Sequence, residues 1–125
     1  MKAISIREPW ASMIYNGKKT IETRTWMTKH RGPLLLCASK KPKSDIGGCA
    51  FAVAFLADIQ LMRKRDEFRA CCDIYPGAYS WFLVNVESIE PFPVKGKLSL
   101  FEVDYEPCPF QNRLGVLVHE KIASV

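Results

Sequence analysis

Between Ser5 and Trp26 the chain reads SIREPWASMIYNGKKTIETRTW, which gathers Arg7, Lys18, Lys19 and Arg24 around the carboxylate of Glu22, with Trp10 and Trp26 along the same stretch. Guanidinium and ammonium groups held together bind phosphate, and flat indoles stack on unpaired bases, so these residue types in one segment point to nucleic acid. A carboxylate among cations keeps its charge, which suits Glu22 to accepting a base amino group or orienting Lys19 rather than to acting as a general acid. Lys19, crowded by Lys18 and Arg24, is a candidate base or activator of a nucleophile wherever it is also desolvated. Each residue also has a plainer role. Arg24 can bridge to Glu22 or Glu8 as a structural pair, and Trp10 can face the core with Met13 and Ile14.

The local patterns say how these side chains would be held. Lys2 to Arg7 alternates as a strand, with Ile4 and Ile6 on one side. Pro9 then opens a short helix from about Glu8 to Asn16, with Trp10, Met13 and Ile14 at helical spacing, and Asn16-Gly17 closes it with a left-handed cap. Thr20 to Trp26 is β-branched and alternating, so Thr20, Glu22, Arg24 and Trp26 share one strand face and Ile21, Thr23 and Thr25 the other. Leu34 to Ala38 reads as a core strand. The basic tract from Ser39 to Gly48 reads as a loop that adds Ser39, Lys40 and Lys41 to the candidate binding surface.

Further on, Cys49 to Met62 is a long strand with Phe51, Val53 and Phe55 expected on one face. Arg63 to Cys72 reads as a short helix ended by the turn at Tyr75-Pro76-Gly77, and Tyr79 to Ile89 and Leu114 to His119 read as further strands. Pro91, Pro93, Gly96 and the stretch from Pro107 to Asn112 read as connectors. About six strands and two short helices predict an α+β, mainly β fold, a small and partly closed β-barrel with short flanking helices.

A chain of 125 residues with 48% hydrophobic content is expected to form one domain, residues 1–125, around one core. It has no apolar run long enough to span a bilayer, and its N-terminus lacks the pattern of a secretion signal, so a cytoplasmic protein without a membrane partner is expected. The five cysteines are odd in number, form no Cys-x-x-Cys pair and are accompanied by only His30 and His119; they read as reduced, mostly buried thiols, with no metal site and no cofactor. The net charge of +5 is uneven: through Lys43 ten Lys and Arg stand against Glu8 and Glu22, while the remainder carries eight cations and eleven acids. The basic character is thereby assigned to the first third, as one cationic surface facing phosphates.

These motifs, followed in order by HRGPLLLCASKKP, GCAFAVAFLADI and YSWFLVNVESIEPFPVKGKLSLFEV to about Val103, resemble the ASCH family of the PUA-like superfamily. The pattern is close to the ASCH domain of a eukaryotic transcriptional coactivator. The resemblance implies a PUA-type β-barrel with a cleft beside the first helix, in a family tied to RNA or DNA binding with some hydrolase members. RNA or single-stranded segments are the expected partners, RNA more than DNA, with a modified nucleoside as a possible small ligand. Bacterial ASCH amidohydrolases that act on N4-acylated cytidine look like Gly-x-Lys-Thr-x-Thr-x-Arg here, with the Lys, the second Thr and a downstream Glu carrying the chemistry. Lys19 matches their Lys, but Glu22 stands in place of the nucleophilic Thr, and only Asp66 and Glu67 are nearby acids for the third role. The alternative to binding is therefore a metal-independent hydrolase, a ribonuclease or a modified-nucleoside amidohydrolase, with Lys19 and Glu22 as catalytic candidates. A ribonuclease would place Lys19 or Tyr79 in acid/base roles, RNA supplying its own 2′-OH as nucleophile.

Overall fold

Leu34-Leu35-Leu36-Cys37-Ala38 is apolar without interruption because both of its faces are covered. In the computed structural model, which describes residues 1–106, Leu34, Leu36 and Ala38 enter a large core with Ile4, Ile6, Phe51 and Trp81, while Leu35 and Cys37 enter a second, smaller cluster with Ala3, Ala50 and Phe101. Strands buried on both faces read as continuous hydrophobic runs, and those on one face as alternations. The elements are β1 (Lys2–Ile6), α1 (Trp10–Tyr15), β2 (Ile21–Arg24), β3 (Gly32–Ala38), β4 (Cys49–Leu61), a 3-10 turn over Lys64–Asp66 that runs into α2 (Glu67–Ala70), β5 (Tyr79–Pro93) and β6 (Phe101–Glu102). They form one six-stranded sheet in the order β2-β5-β4-β3-β1-β6. Only β1 and β3 run parallel; the other neighbouring strands are antiparallel.

The expected barrel is corrected to an open sheet. Its edges, β2 and β6, do not pair with each other among the described residues. Both are short, and the outer side of β2 is occupied: the Thr20 N–H just before it donates to the Arg69 carbonyl at 2.9 Å, and the Tyr75 and Thr23 hydroxyls meet at 2.9 Å. A covered edge has no free ladder to offer a further strand. Register shifts between Ala50 and Ala52, Val53 and Phe55, and Leu56 and Asp58 interrupt the β4–β5 pairing; such bulges add local twist to a long ribbon. They also break the expected alternation of β4, since Phe51 is in the large core, Val53 packs on the smaller one and Phe55 is 46% exposed.

Other boundaries move for local reasons. Pro91 and Pro93, expected in a connector, lie inside β5, where β2 pairs only with Tyr79 to Phe82, so the far half of β5 has a neighbour on one side alone. Proline is tolerated on such an edge. The helix expected over Glu8 to Asn16 is confined to Trp10–Tyr15, and that expected over Arg63 to Cys72 is a 3-10 turn plus one turn of α-helix. Strand β6 was not expected at all; it adds to β1 with Lys2 opposite Glu102, their side chains 3.1 Å apart. The strand expected over Leu114 to His119, the connector from Pro107 to Asn112, and Cys108 lie outside the described residues. Of the other cysteines, all free, only Cys37 is buried; burial, with Cys49 nearby, pushes its thiol up to about 12. No helix among the described residues is long and apolar enough to cross a membrane.

Candidate nucleic-acid interface

The site begins where α1 ends. Gly17 adopts a left-handed φ of 85°, its N–H donating to the Ile14 carbonyl while the Lys18 and Lys19 N–H groups both donate to that of Met13. This is the glycine-dependent helix stop that the Asn16-Gly17 pair predicts, and it turns the chain so that the Lys19 side chain runs inward. Lys19 is 1% exposed. Its Nζ donates to the Ala70 carbonyl and lies 3.7 Å from Glu22 Oε1. Alternation along β2 puts Glu22 and Arg24 on the same side, where Arg24 donates Nε–H to Glu22 Oε2 at 2.9 Å and Nη2–H to the Ser5 carbonyl at 2.7 Å. Ile21, facing the other way, is buried with Met62, Ala70 and Ala78.

The result is a row of cation, carboxylate and cation in which Lys19 and Glu22 are buried and Arg24 is half-buried. Lys19 and Glu22 are lining residues of a cleft of about 430 Å³, together with Ser5, Arg7 and Trp10 from the first segment and Thr23, Cys72 and Tyr75. Ser5, Arg7 and Arg24 also border an adjoining groove of about 990 Å³, lined further by Trp26, Ser39 and Lys40 and by the connection from Val94 to Ser99. Arg7, Arg24, Lys40, Lys95 and Lys97 line this groove, and no acidic side chain does among the described residues. Arg24 apart, none of the five is in an ion pair with another described residue. Unpaired cations around a concavity focus positive potential on it.

Neighbouring polar contacts fix this end of the sheet. Ser39 donates its N–H to the Ile6 carbonyl at 2.8 Å, and its hydroxyl meets that of Ser5 at 3.2 Å. Glu8, buried at the start of α1, accepts the Ser12 N–H at 2.9 Å and the Ser12 hydroxyl at 2.7 Å. Burial works to raise the Glu8 pKa, but the Ser44 hydroxyl nearby and these two Ser12 donors outweigh it and hold the carboxyl below the usual range.

Of the residues singled out from sequence, Arg7, Trp10, Lys19, Glu22 and Arg24 come together in the cleft, and Arg7, Arg24, Trp26, Ser39 and Lys40 along the groove. Arg24 pairs with Glu22 and not with Glu8. Trp10 both packs against the core and lines the cleft, and Trp26 packs edge-on to Trp81 at 5.0 Å while lining the groove. Lys18 and Lys41 stand exposed outside both cavities. Lys19, expected at the phosphate-binding surface, is instead sealed into the cleft wall by its bonds to Ala70 and Glu22.

The candidate third acids are occupied elsewhere. Asp66 accepts from the Arg63 N–H and the Ser80 hydroxyl, and Glu67 from the Ile74 N–H. Tyr79 pairs with Arg24 in the β2–β5 register but does not line the cleft, where Tyr75 stands instead. Sequence reasoning missed Tyr75, Cys72, Lys95 and Lys97. The lysines of PVKGK were legible as cations, but averaging them into an acidic remainder hid them.

These observations define a mainly β protein with an open six-stranded sheet and a cleft, beside the first helix, that carries Lys19, Glu22 and Arg24 in its lining and adjoins a basic groove. Residues 4–93 match the family model of the ASCH domain, and the chain belongs to the ASCH domain family. It is 44% identical to Activating signal cointegrator 1 of Homo sapiens, and equally to that of Mus musculus, over 127 aligned positions that cover 81% of this chain and 22% of each relative. The chain thus spans about a fifth of the length of these relatives. Crystal structures of two point variants of ASCH from Zymomonas mobilis superpose with TM-scores of 0.65 and 0.64 at 17% identity, covering 82% of this chain and 87% and 88% of theirs. They establish likeness of fold.

Proposed function

We propose that the protein is a nucleic-acid-binding ASCH module that holds RNA, or another single-stranded segment, with phosphates along the basic groove and one base in the adjoining cleft. The observation that carries this reading is the continuity of the two cavities through Ser5, Arg7 and Arg24, one rich in unpaired cations and the other small. A space of about 430 Å³ falls within the size of small-molecule sites and admits a single unstacked base but no duplex. Within the same reading, the fold is a PUA-like one left open between β2 and β6, and the protein resides in the cytoplasm, which fractionation checks. Fluorescence anisotropy with labelled single-stranded RNA, single-stranded DNA and duplexes tests the main proposal. Binding is expected in the order RNA, single-stranded DNA, duplex, and it is expected to weaken on Arg7→Ala and Lys40→Ala. Equal affinity for all three polymers, or no binding by the parent at low salt, overturns it.

The same cleft supports hydrolysis as a second reading on one observation, the 3.7 Å approach of Lys19 to Glu22 within its wall. Glu22, however, is already engaged in the wall, accepting the Arg24 Nε–H at 2.9 Å beside Lys19, which places this reading behind binding.

A further inference from the structure

The connection between β5 and β6 presents a leucine where folding has no use for one. Leu98 is 94% exposed, so it contributes almost nothing to the core. Single exposed apolar residues are common on protein surfaces. Leu98 differs in its setting, because it lines the basic groove between Lys97 and Ser99, close to Lys95. The connection that carries it is held at three points. Val94 donates its N–H to the Gly48 carbonyl at 2.9 Å, Leu100 packs on the large core, and the Gly96 backbone lies so close to Ser5 that a Cβ there would come within 3.0 Å of the Ser5 hydroxyl oxygen.

We infer that Leu98 is a wedge that enters between neighbouring bases of the bound strand, while Lys95 and Lys97 hold the flanking phosphates. The inference rests on the nucleic-acid reading given above and adds to it the element that unstacks the strand. Apolar side chains inserted at base steps unstack them at a cost that the surrounding phosphate contacts offset. Trp26 lines the same groove, and Arg24 lines both the groove and the smaller cleft, so a base released in this way has an indole and a second cavity within the same site.

The test uses the whole chain and a short single-stranded RNA carrying 2-aminopurine, whose fluorescence rises when it unstacks. The parent is expected to bind with a several-fold rise. Leu98→Ala is expected to melt at the parent's temperature and, because phosphate contacts dominate affinity, to bind within about threefold of it, but to lose most of the fluorescence rise. Leu98→Met is expected to keep the rise, and Leu98→Lys to bind at least as tightly as the parent without it. A full rise with Leu98→Ala or Leu98→Lys overturns the wedge and leaves the binding reading intact. If the parent does not bind the RNA at all, the binding reading itself falls, and the wedge with it.

Discussion

Arg24 and Glu22, two residues apart on one face of β2, are joined by an Nε–H to carboxylate bond of 2.9 Å at the place where the small cleft opens into the basic groove. The guanidinium is thereby fixed in orientation, with Nη2 on the Ser5 carbonyl, and the carboxylate is committed to two cations. This pair separates the cavity-lining charges that are engaged within the protein from those that are not. Lys19 and Glu22 belong to the first group. Arg7, Lys40, Lys95 and Lys97, in no ion pair with another described residue, belong to the second.

Removing the carboxylate would leave Lys19 charged and buried without a counterion. Breaking a buried pair from one side costs about 3 to 5 kcal/mol, so Glu22→Ala is expected to destabilise the protein by roughly 3 kcal/mol in urea titrations. Lys19→Met in the Glu22→Gln background removes both charges and is expected to recover most of that loss. A double variant no more stable than Glu22→Ala would show that the ion pair is not what matters there.

Each phosphate contact in single-strand binding contributes about 0.7 to the slope of log K against log salt. Arg7→Ala, Lys40→Ala, Lys95→Ala and Lys97→Ala are each expected to lower that slope by up to this amount and to weaken binding across sequences. Lys18→Ala and Lys41→Ala, which alter cations outside both cavities, are expected to leave it nearly unchanged. Salt titrations of RNA binding distinguish the two groups.

Glu8 has a folded-state pKa below its unfolded value, so its charged form stabilises the fold. The sign follows from linkage: this contribution is complete above the unfolded pKa, about 4.3, and disappears as pH falls through the folded one. Glu8→Gln is therefore expected to cost about 1.5 kcal/mol at pH 7, at the lower end for hydrogen bonds to a charged group, and progressively less than that in acid. Denaturation curves of the parent and Glu8→Gln between pH 7 and pH 3 measure the convergence; a gap that stays constant would refute it.

Cleavage of acylated cytidine by the family's amidohydrolase pattern needs a hydroxyl that a lysine can activate, and Glu22 supplies a carboxylate at that position. The parent is expected to show no multiple turnover of N4-acetylcytidine, and Glu22→Thr to gain activity over it if enough protein stays folded. Chromatographic product counts beyond one equivalent per protein decide this, and robust turnover by the parent would reverse the ordering of binding and hydrolysis.

By itself the sequence determined the strand, helix, strand order of the first segment, the helix stop at Gly17, the core strand of Leu34 to Ala38 and the co-facing of Glu22 with Arg24. All of these follow from side-chain period and backbone preference within a few residues. The tertiary structure decided which cations are buried and which line the groove. Lys18 and Lys19 are adjacent in sequence, yet one is exposed and the other is 1% exposed, because Ala70 and Glu22 receive only the second. It also brought Lys95, Lys97 and Leu98 to the groove that Lys40 lines as well, and it left the sheet open by covering β2 with the segment around Arg69 and Tyr75. These outcomes depend on which distant segments pack together. A one-dimensional pattern records each segment's own preferences, but the energy of a buried charge or a covered edge belongs to the pair in contact.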